Sequence, residues 1–200
     1  MLTDDDLKAE LDRLRPFEGR VPFLYLDDAT RPNVTCGVGY LIASVAEACR
    51  LPWHHASDGL PASQAEVEAD FLRVQSMRGG LRADAYKGSL RLAQADIDAE
   101  GFRRLRAFLA GLPDVFPGFA GFPDGVQQAL LDLAWNCGLA EPKGIAGWQY
   151  LRAACNSVPP DWKTASAQCR TANPNNLLAR ERRNDWRSGC FISAAAEVPS

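Results

Sequence analysis

The strongest constraint on what this chain can fold into is a change of period along its length. From about Ala62 onward, apolar residues recur at helical spacing almost to the end, while strand-like residues are confined to a short stretch near 23–40. A chain patterned this way builds one small sheet and a larger set of helices. The expected class is therefore α+β and mostly helical. The expected organisation is a single domain over 1–200, with an N-terminal helix and β lobe over 1–62 and a helical lobe over 63–200. At 200 residues and 46% hydrophobic, the chain can bury a sizeable core without metals or crosslinks.

Thr3 before Asp4, Asp5 and Asp6 reads as a helix N-cap with acids in the first turn, where the helix dipole favours them. Leu7, Leu11 and Leu14 continue as one apolar stripe, and Pro16 is expected to close the helix, leaving Phe17 and Glu18 just past its end. Phe23-Leu24-Tyr25 and Val34-Thr35-Cys36-Gly37-Val38-Gly39-Tyr40 follow as β-rich segments, joined by a turn through Asp27 to Asn33. Ser63 and Glu66 form a capping box ahead of Val67, Phe71 and Val74. Residues 79–90 read as loop, Ala95-Asp96 opens a helix through Leu109, and the Pro- and Gly-rich stretch 111–125 reads as loop again. Asp124 caps a strongly apolar helix from Val126 to Cys137, which Gly138 stops. Three further short helices are expected at 148–154, 162–169 and 176–186.

The net charge of −3 offers no global attraction to nucleic acid or to an anionic cell wall, so an anionic ligand would need a local basic patch. No run reaches the roughly 20 apolar residues of a membrane span. The acidic start, Met1 to Asp6, lacks the basic-then-apolar order of a secretory signal. Synthesis in the cytoplasm, with another route to any site of action outside it, is the expectation. The six cysteines (Cys36, Cys49, Cys137, Cys155, Cys169 and Cys190) include no CxxC pair, and with only His54 and His55 beside them a zinc site is not expected. Buried free thiols and one to three disulfides both fit that count.

Glycoside hydrolysis needs one carboxylic acid to protonate the leaving oxygen and a second polar group to steer water or attack the sugar. Glu18 stands where a helix meets a hairpin, a junction that can keep a carboxyl partly dry and favour its protonated form. Asp27 lies at the hairpin turn, and Thr35 on the returning strand offers a hydroxyl. Spacing alone says little, because a chain with 25 acidic residues holds many such pairs, and solvated carboxylates would read the same way.

The run Phe17-Glu18-Gly19, Tyr25-Leu26-Asp27 and Val34-Thr35-Cys36-Gly37-Val38-Gly39-Tyr40 resembles the active-site signature of the phage-type lysozymes, glycoside hydrolase family 24. Its pattern is E-G, eight intervening residues to Asp, then T-x-G-x-G. The segment from Gly125 through Trp135-Asn136-Cys137-Gly138 is similar to that family's central buried helix, and Asn176 through Arg180-Glu181-Arg182-Arg183 to its Arg-rich C-terminal helix. The resemblance implies a lysozyme-like fold and a muramidase that cleaves the β-1,4 MurNAc–GlcNAc bond of peptidoglycan with inversion, without a cofactor. It makes Glu18 the general acid and gives Asp27 and Thr35 the attacking water. Gly37 and Gly39 would let the strand approach the sugar, with a bulged strand as the other reading. Tyr40 falls among the substrate-binding positions, Trp135 would be a sugar platform or core, and Asn136 would bind an acetamido group. Arg180 would orient the catalytic carboxyl, or belong to a solvated charge run. Arg182, Arg183 and Arg187 would supply a local positive face.

The chain departs from the pattern at three places. Tyr40 stands where the family usually has His, the Asp-to-Thr loop is two residues longer, and Asp28 beside Asp27 is an alternative carboxylate. The stretch 43–61 reads as an insertion. A lytic transglycosylase, a chitinase-like relative and a non-catalytic glycan-binding domain are the alternatives. The expected partners are peptidoglycan strands and, for an injected antibacterial effector rather than a phage endolysin, an immunity protein. No nucleic-acid or membrane partner is expected, and the chain is expected to be a monomer acting in the periplasm or at the wall.

Overall fold

The computed structural model describes residues 1–29, 32–142, 144–172 and 177–197, with the backbone alone at 177–179. The fold is α+β and mostly helical, with a small antiparallel sheet. The elements run in the order α1 (Asp4–Glu18), β1 (Val21–Leu26), β2 (Val34–Gly37), β3 (Tyr40–Leu41), α2 (Val45–Ala48), β4 (His54–His55), α3 (Gln64–Gln75), β5 (Leu90–Arg91), α4 (Gln94–Val115), α5 (Asp124–Cys137), α6 (Gln149–Asn156), α7 (Trp162–Gln168) and α8 (Leu177–Ala196). No described helix is long and apolar enough to cross a membrane.

The contacts divide the chain into a sheet-bearing unit, Leu11–Arg103, and a helical unit made of Met1–Glu10 with Arg104–Ser200. In the sheet-bearing unit β1, β2 and β3 pair in that order, all antiparallel, and β4 pairs with β5 in a separate two-stranded ribbon. Helix α3 buries Val67, Phe71 and Val74, and packs on β1 and β2. That packing keeps α3 with the strands, so residue 62 lies inside this unit rather than at its edge. The expected capping box is present, with the Ser63 hydroxyl accepting from Glu66 N and the Glu66 carboxylate accepting from Ser63 N at 2.8 Å. The stretch 43–61 carries the short helix α2 and the strand β4.

Three helices run further than expected. Helix α1 passes through Pro16 and ends at Glu18. The proline removes a single backbone donor near the helix end, and Gly19, at φ +74°, closes the last turn by donating to Arg15 O at 2.9 Å. Helix α4 continues through Gly111 and Pro113 to Val115, because Leu112 and Val115 are buried and packing outweighs the weak helical preference of those residues. The remaining Pro- and Gly-rich stretch forms only a 3-10 turn at Phe119–Gly121. Helix α8 extends ten residues beyond Trp186, to Ala196. Among its described residues Arg183, Asn184, Arg187, Phe191 and Ala194 are buried. Three of those five positions are polar or charged, which hides the helical period from any apolar pattern.

In the helical unit α5 packs on α8, and α7 on both α6 and α8. Asp132 of α5 is fully buried and receives the guanidinium groups of Arg183 and Arg187, the first through Nε at 2.9 and 3.0 Å. The expected positive face is therefore not formed by Arg183 and Arg187, which point inward onto one carboxylate. Arg182 stays exposed.

All six cysteines are free thiols. Burial pushes the Cys155 thiol up to about 12 and the Cys169 thiol up to about 11, which makes both poor nucleophiles near neutrality. Thiol titration of the unfolded protein is expected to count six groups, with Cys155 and Cys169 unreactive until unfolding; fewer than six would show crosslinking. Asp132→Asn strands two buried cations, and a loss of about 3–5 kcal/mol in urea unfolding is expected. A loss under about 1 kcal/mol would show that the pairing contributes little.

Candidate active site

Glu18 is the last residue of α1, and the turn of helix before it is held in place by charge. Arg15 and Arg20, on either side of Glu18 in sequence, both pair with Asp98 on α4, Arg15 at 3.1 Å. The Glu18 carboxyl is half-buried and lies against Gly39, in the turn between β2 and β3. A Cβ placed on Gly39 would come within 2.9 Å of Glu18 Oε2 and 3.4 Å of its carboxyl carbon. Gly39 also has φ +67°, a conformation that side chains disfavour. The backbone conformation favours glycine there, and a Cβ would in addition force the Glu18 carboxyl to move.

Strand pairing places the other candidates. Tyr25 pairs across to Thr35, and Leu26 to Val34. Asp27 N donates to Asn33 O at 3.2 Å, and Asn33 N donates to Asp27 Oδ1 at 2.8 Å. By the two-residue alternation of a strand, Tyr25, Asp27, Asn33 and Thr35 fall on one face, and Asp28 falls out of phase with it. Thr35 is 2% exposed, and its hydroxyl donates to Asn33 O at 3.2 Å. It therefore braces the loop that carries Asp27 rather than presenting a free hydroxyl. The loop is closed from the far side by Gly79, where a Cβ would meet the Asp28 carbonyl oxygen at 2.4 Å.

Tyr25 is a member of this group whose role the sequence did not single out. Burial first, then the charges of Glu18 and Asp27 and the Cys36 thiol, push its hydroxyl well above the ordinary phenol range. A phenol held neutral remains a hydrogen-bond donor, and this one lies within electrostatic reach of both candidate carboxylates. Its position two residues before Asp27 was the only signal in the sequence.

Two expected binding positions belong to the core instead. Tyr40 is 1% exposed, and its hydroxyl donates to Ile97 O at 2.7 Å. Its ring fills the place where a Cβ on Gly37 would lie, 2.3 Å from Tyr40 Cε2, and its hydroxyl lies 2.5 Å from the place of a Cβ on Gly101. So Tyr40 touches no substrate-accessible surface, and Gly37 makes room for Tyr40 rather than for a sugar. Gly39 likewise makes room for Glu18.

The remaining candidates are in the helical unit. Trp135 is half-buried, its ring 6.3 Å from that of Phe108 in an edge arrangement. Asn136 is exposed. Arg180 pairs with Glu181 at 2.7 Å, and Asn176, at the start of that motif, lies outside the described residues. Among the described residues no group of three His, Cys, Asp or Glu is placed to hold a metal ion. No protein-family model matches this chain, and no curated protein shows significant similarity to it.

Gly19 and Gly39 have nearly the same positive φ, but nothing lies within 4 Å of a Cβ on Gly19. Gly19→Ala is expected to cost about 1–2 kcal/mol from backbone strain alone. Gly39→Ala is expected to cost more and to shift the Glu18 carboxyl resonance in a carbon NMR spectrum. Equal costs for the two variants, with the resonance unmoved, would show that Gly39 does not seat Glu18.

Proposed function

We propose that this protein is a muramidase that hydrolyses the β-1,4 bond between MurNAc and GlcNAc in peptidoglycan, with inversion. The observation that carries the reading is the seating of the Glu18 carboxyl against Gly39, in the sheet-bearing unit whose β1–β2 loop holds Asp27. A carboxyl at the end of a rigid helix and another on a braced loop suit a two-carboxylate hydrolysis.

Glu18, protonated, gives its proton to the glycosidic oxygen as the bond from C1 to that oxygen breaks. A water molecule attacks C1 from the opposite face, and Asp27 takes the proton that water loses. Exchange with solvent restores both carboxyl groups. Thr35 and Asn33 act as positioning residues, since their hydrogen bonds hold the Asp27 loop in place. Tyr25, as a neutral donor near both carboxylates, fits the same task. No cofactor is needed for this chemistry. Under this reading the substrate is the glycan strand of the wall, reached from the periplasmic side. An inhibitory immunity protein would be the partner if the protein is an injected effector, but the cysteine argument for that role needs disulfides and the thiols are free.

The test is digestion of purified peptidoglycan by wild type, Glu18→Gln, Asp27→Asn and Asp28→Asn, with the muropeptides identified by mass spectrometry. Wild type is expected to release reducing-end MurNAc products. Glu18→Gln, which keeps the shape but cannot donate the proton, is expected to be slower by at least about 100-fold. Asp27→Asn should fall as steeply and Asp28→Asn should stay near wild type; the reverse would transfer the role to Asp28. Anhydro-MurNAc products would make the protein a lytic transglycosylase, and no release by folded wild type would sink the hydrolase reading.

A further inference from the structure

A cavity of about 270 Å³ lies in the helical unit at the start of α6, lined by Gly147, Trp148, Gln149, Tyr150, Leu151 and Gln168. We propose that it is a binding subsite for one neutral N-acetylated sugar residue of a glycan strand, separate from the residues assigned to hydrolysis. The identity of the strand as peptidoglycan rests on the muramidase reading; the sugar chemistry does not.

The lining is selective by composition. Among the described residues the lining has no charged side chain, so a carboxylate, phosphate or ammonium group would lose its hydration there without a counter-charge from them. Gln149 and Gln168 instead supply amide donors and acceptors, which suit hydroxyl and acetamido groups. Trp148 and Tyr150 add aromatic surface, and Tyr150 is 75% exposed. A pyranose ring carries C–H groups on its faces and polar groups at its rim, which matches aromatic walls edged by amides. Drug-sized ligands occupy roughly 300–1,000 Å³, so this cavity suits one sugar residue rather than several.

The backbone that carries these residues at the start of α6 is also held in shape before any ligand arrives. Trp148 N donates to Ile145 O at 3.1 Å, and Trp148 O accepts from Arg152 N at 2.9 Å, so its backbone is fixed on both sides. Gly147 packs against the Pro142 carbonyl oxygen, which would lie 2.6 Å from a Cβ on it. A backbone fixed in this way leaves less freedom to be lost on binding.

The test uses free N-acetylglucosamine as a probe and NMR on the full chain. The Trp148 indole and the Gln149 and Gln168 side-chain amide signals are expected to shift in a saturable way. Tyr150→Ala, a change at an exposed position, should weaken that binding at least tenfold, as should Trp148→Ala, while Trp148→Phe retains part of it. Pelleting with insoluble peptidoglycan should fall in parallel, with hydrolysis of soluble fragments unchanged. Absence of shifts at these three residues, or shifts that Tyr150→Ala leaves intact, overturns the proposal. Shifts produced by a muropeptide stem peptide but not by the sugar overturn it in favour of a peptide site. If the sugar binds here while wild type releases no muropeptides, the subsite stands and the muramidase reading falls.

Discussion

The sheet-bearing unit depends on one large side chain inserted where two glycines leave room. The ring of Tyr40 takes the space of a Cβ at Gly37, and its hydroxyl reaches past Gly101 to the Ile97 carbonyl of α4. That contact ties the β2–β3 turn to α4. Gly39 belongs to the same turn, and the Glu18 carboxyl rests on it. From the other side, Asp98 of α4 holds Arg15 and Arg20. The two links together fix the end of α1 and the hairpin turn to one helix, so the position of Glu18 follows from core packing more than from any contact of its own. A change at Tyr40 would therefore act on the site while touching nothing that reacts.

The helical unit rests on a different kind of constraint. Asp132, 0% exposed, accepts from two arginines that are themselves almost wholly buried. An arrangement of this kind contributes more to uniqueness than to net stability, since desolvation offsets much of the attraction. It locks the register of α8 against α5, because a shift by one residue would leave an ion without its partner. It also removes two of the chain's positive charges from the surface, on a protein whose net charge is already −3. Arg183 and Arg187 are thus unavailable to attract an anionic ligand. Recognition through uncharged groups, such as the aromatic and amide lining near α6, is consistent with that charge balance.

Much of the local structure was legible in the residues. The N-cap at Thr3, the capping box at Ser63 and Glu66, the apolar helix ending at Gly138 and the short β segment before residue 40 each follow from local chemistry. The errors have a common cause. Pro16 and Pro113 argue locally against helix, yet both lie inside helices, where tertiary burial outweighs an unfavourable preference of about 3 kcal/mol. The glycines of the T-x-G-x-G segment were legible as positions needing no side chain, but not what fills the vacant space.

The sequence by itself determined the class of the fold and most of its helices, and it offered candidate carboxylates, because periodicity, caps and side-chain types are properties of neighbours along the chain. Only the tertiary structure decided that Tyr40 is core, that Thr35 braces a loop, that Tyr25 lies near both carboxylates and that Arg183 and Arg187 face inward. Those outcomes depend on which surfaces meet across tens of residues, and a side chain's role changes with whether its partner is water, a carbonyl or a buried charge.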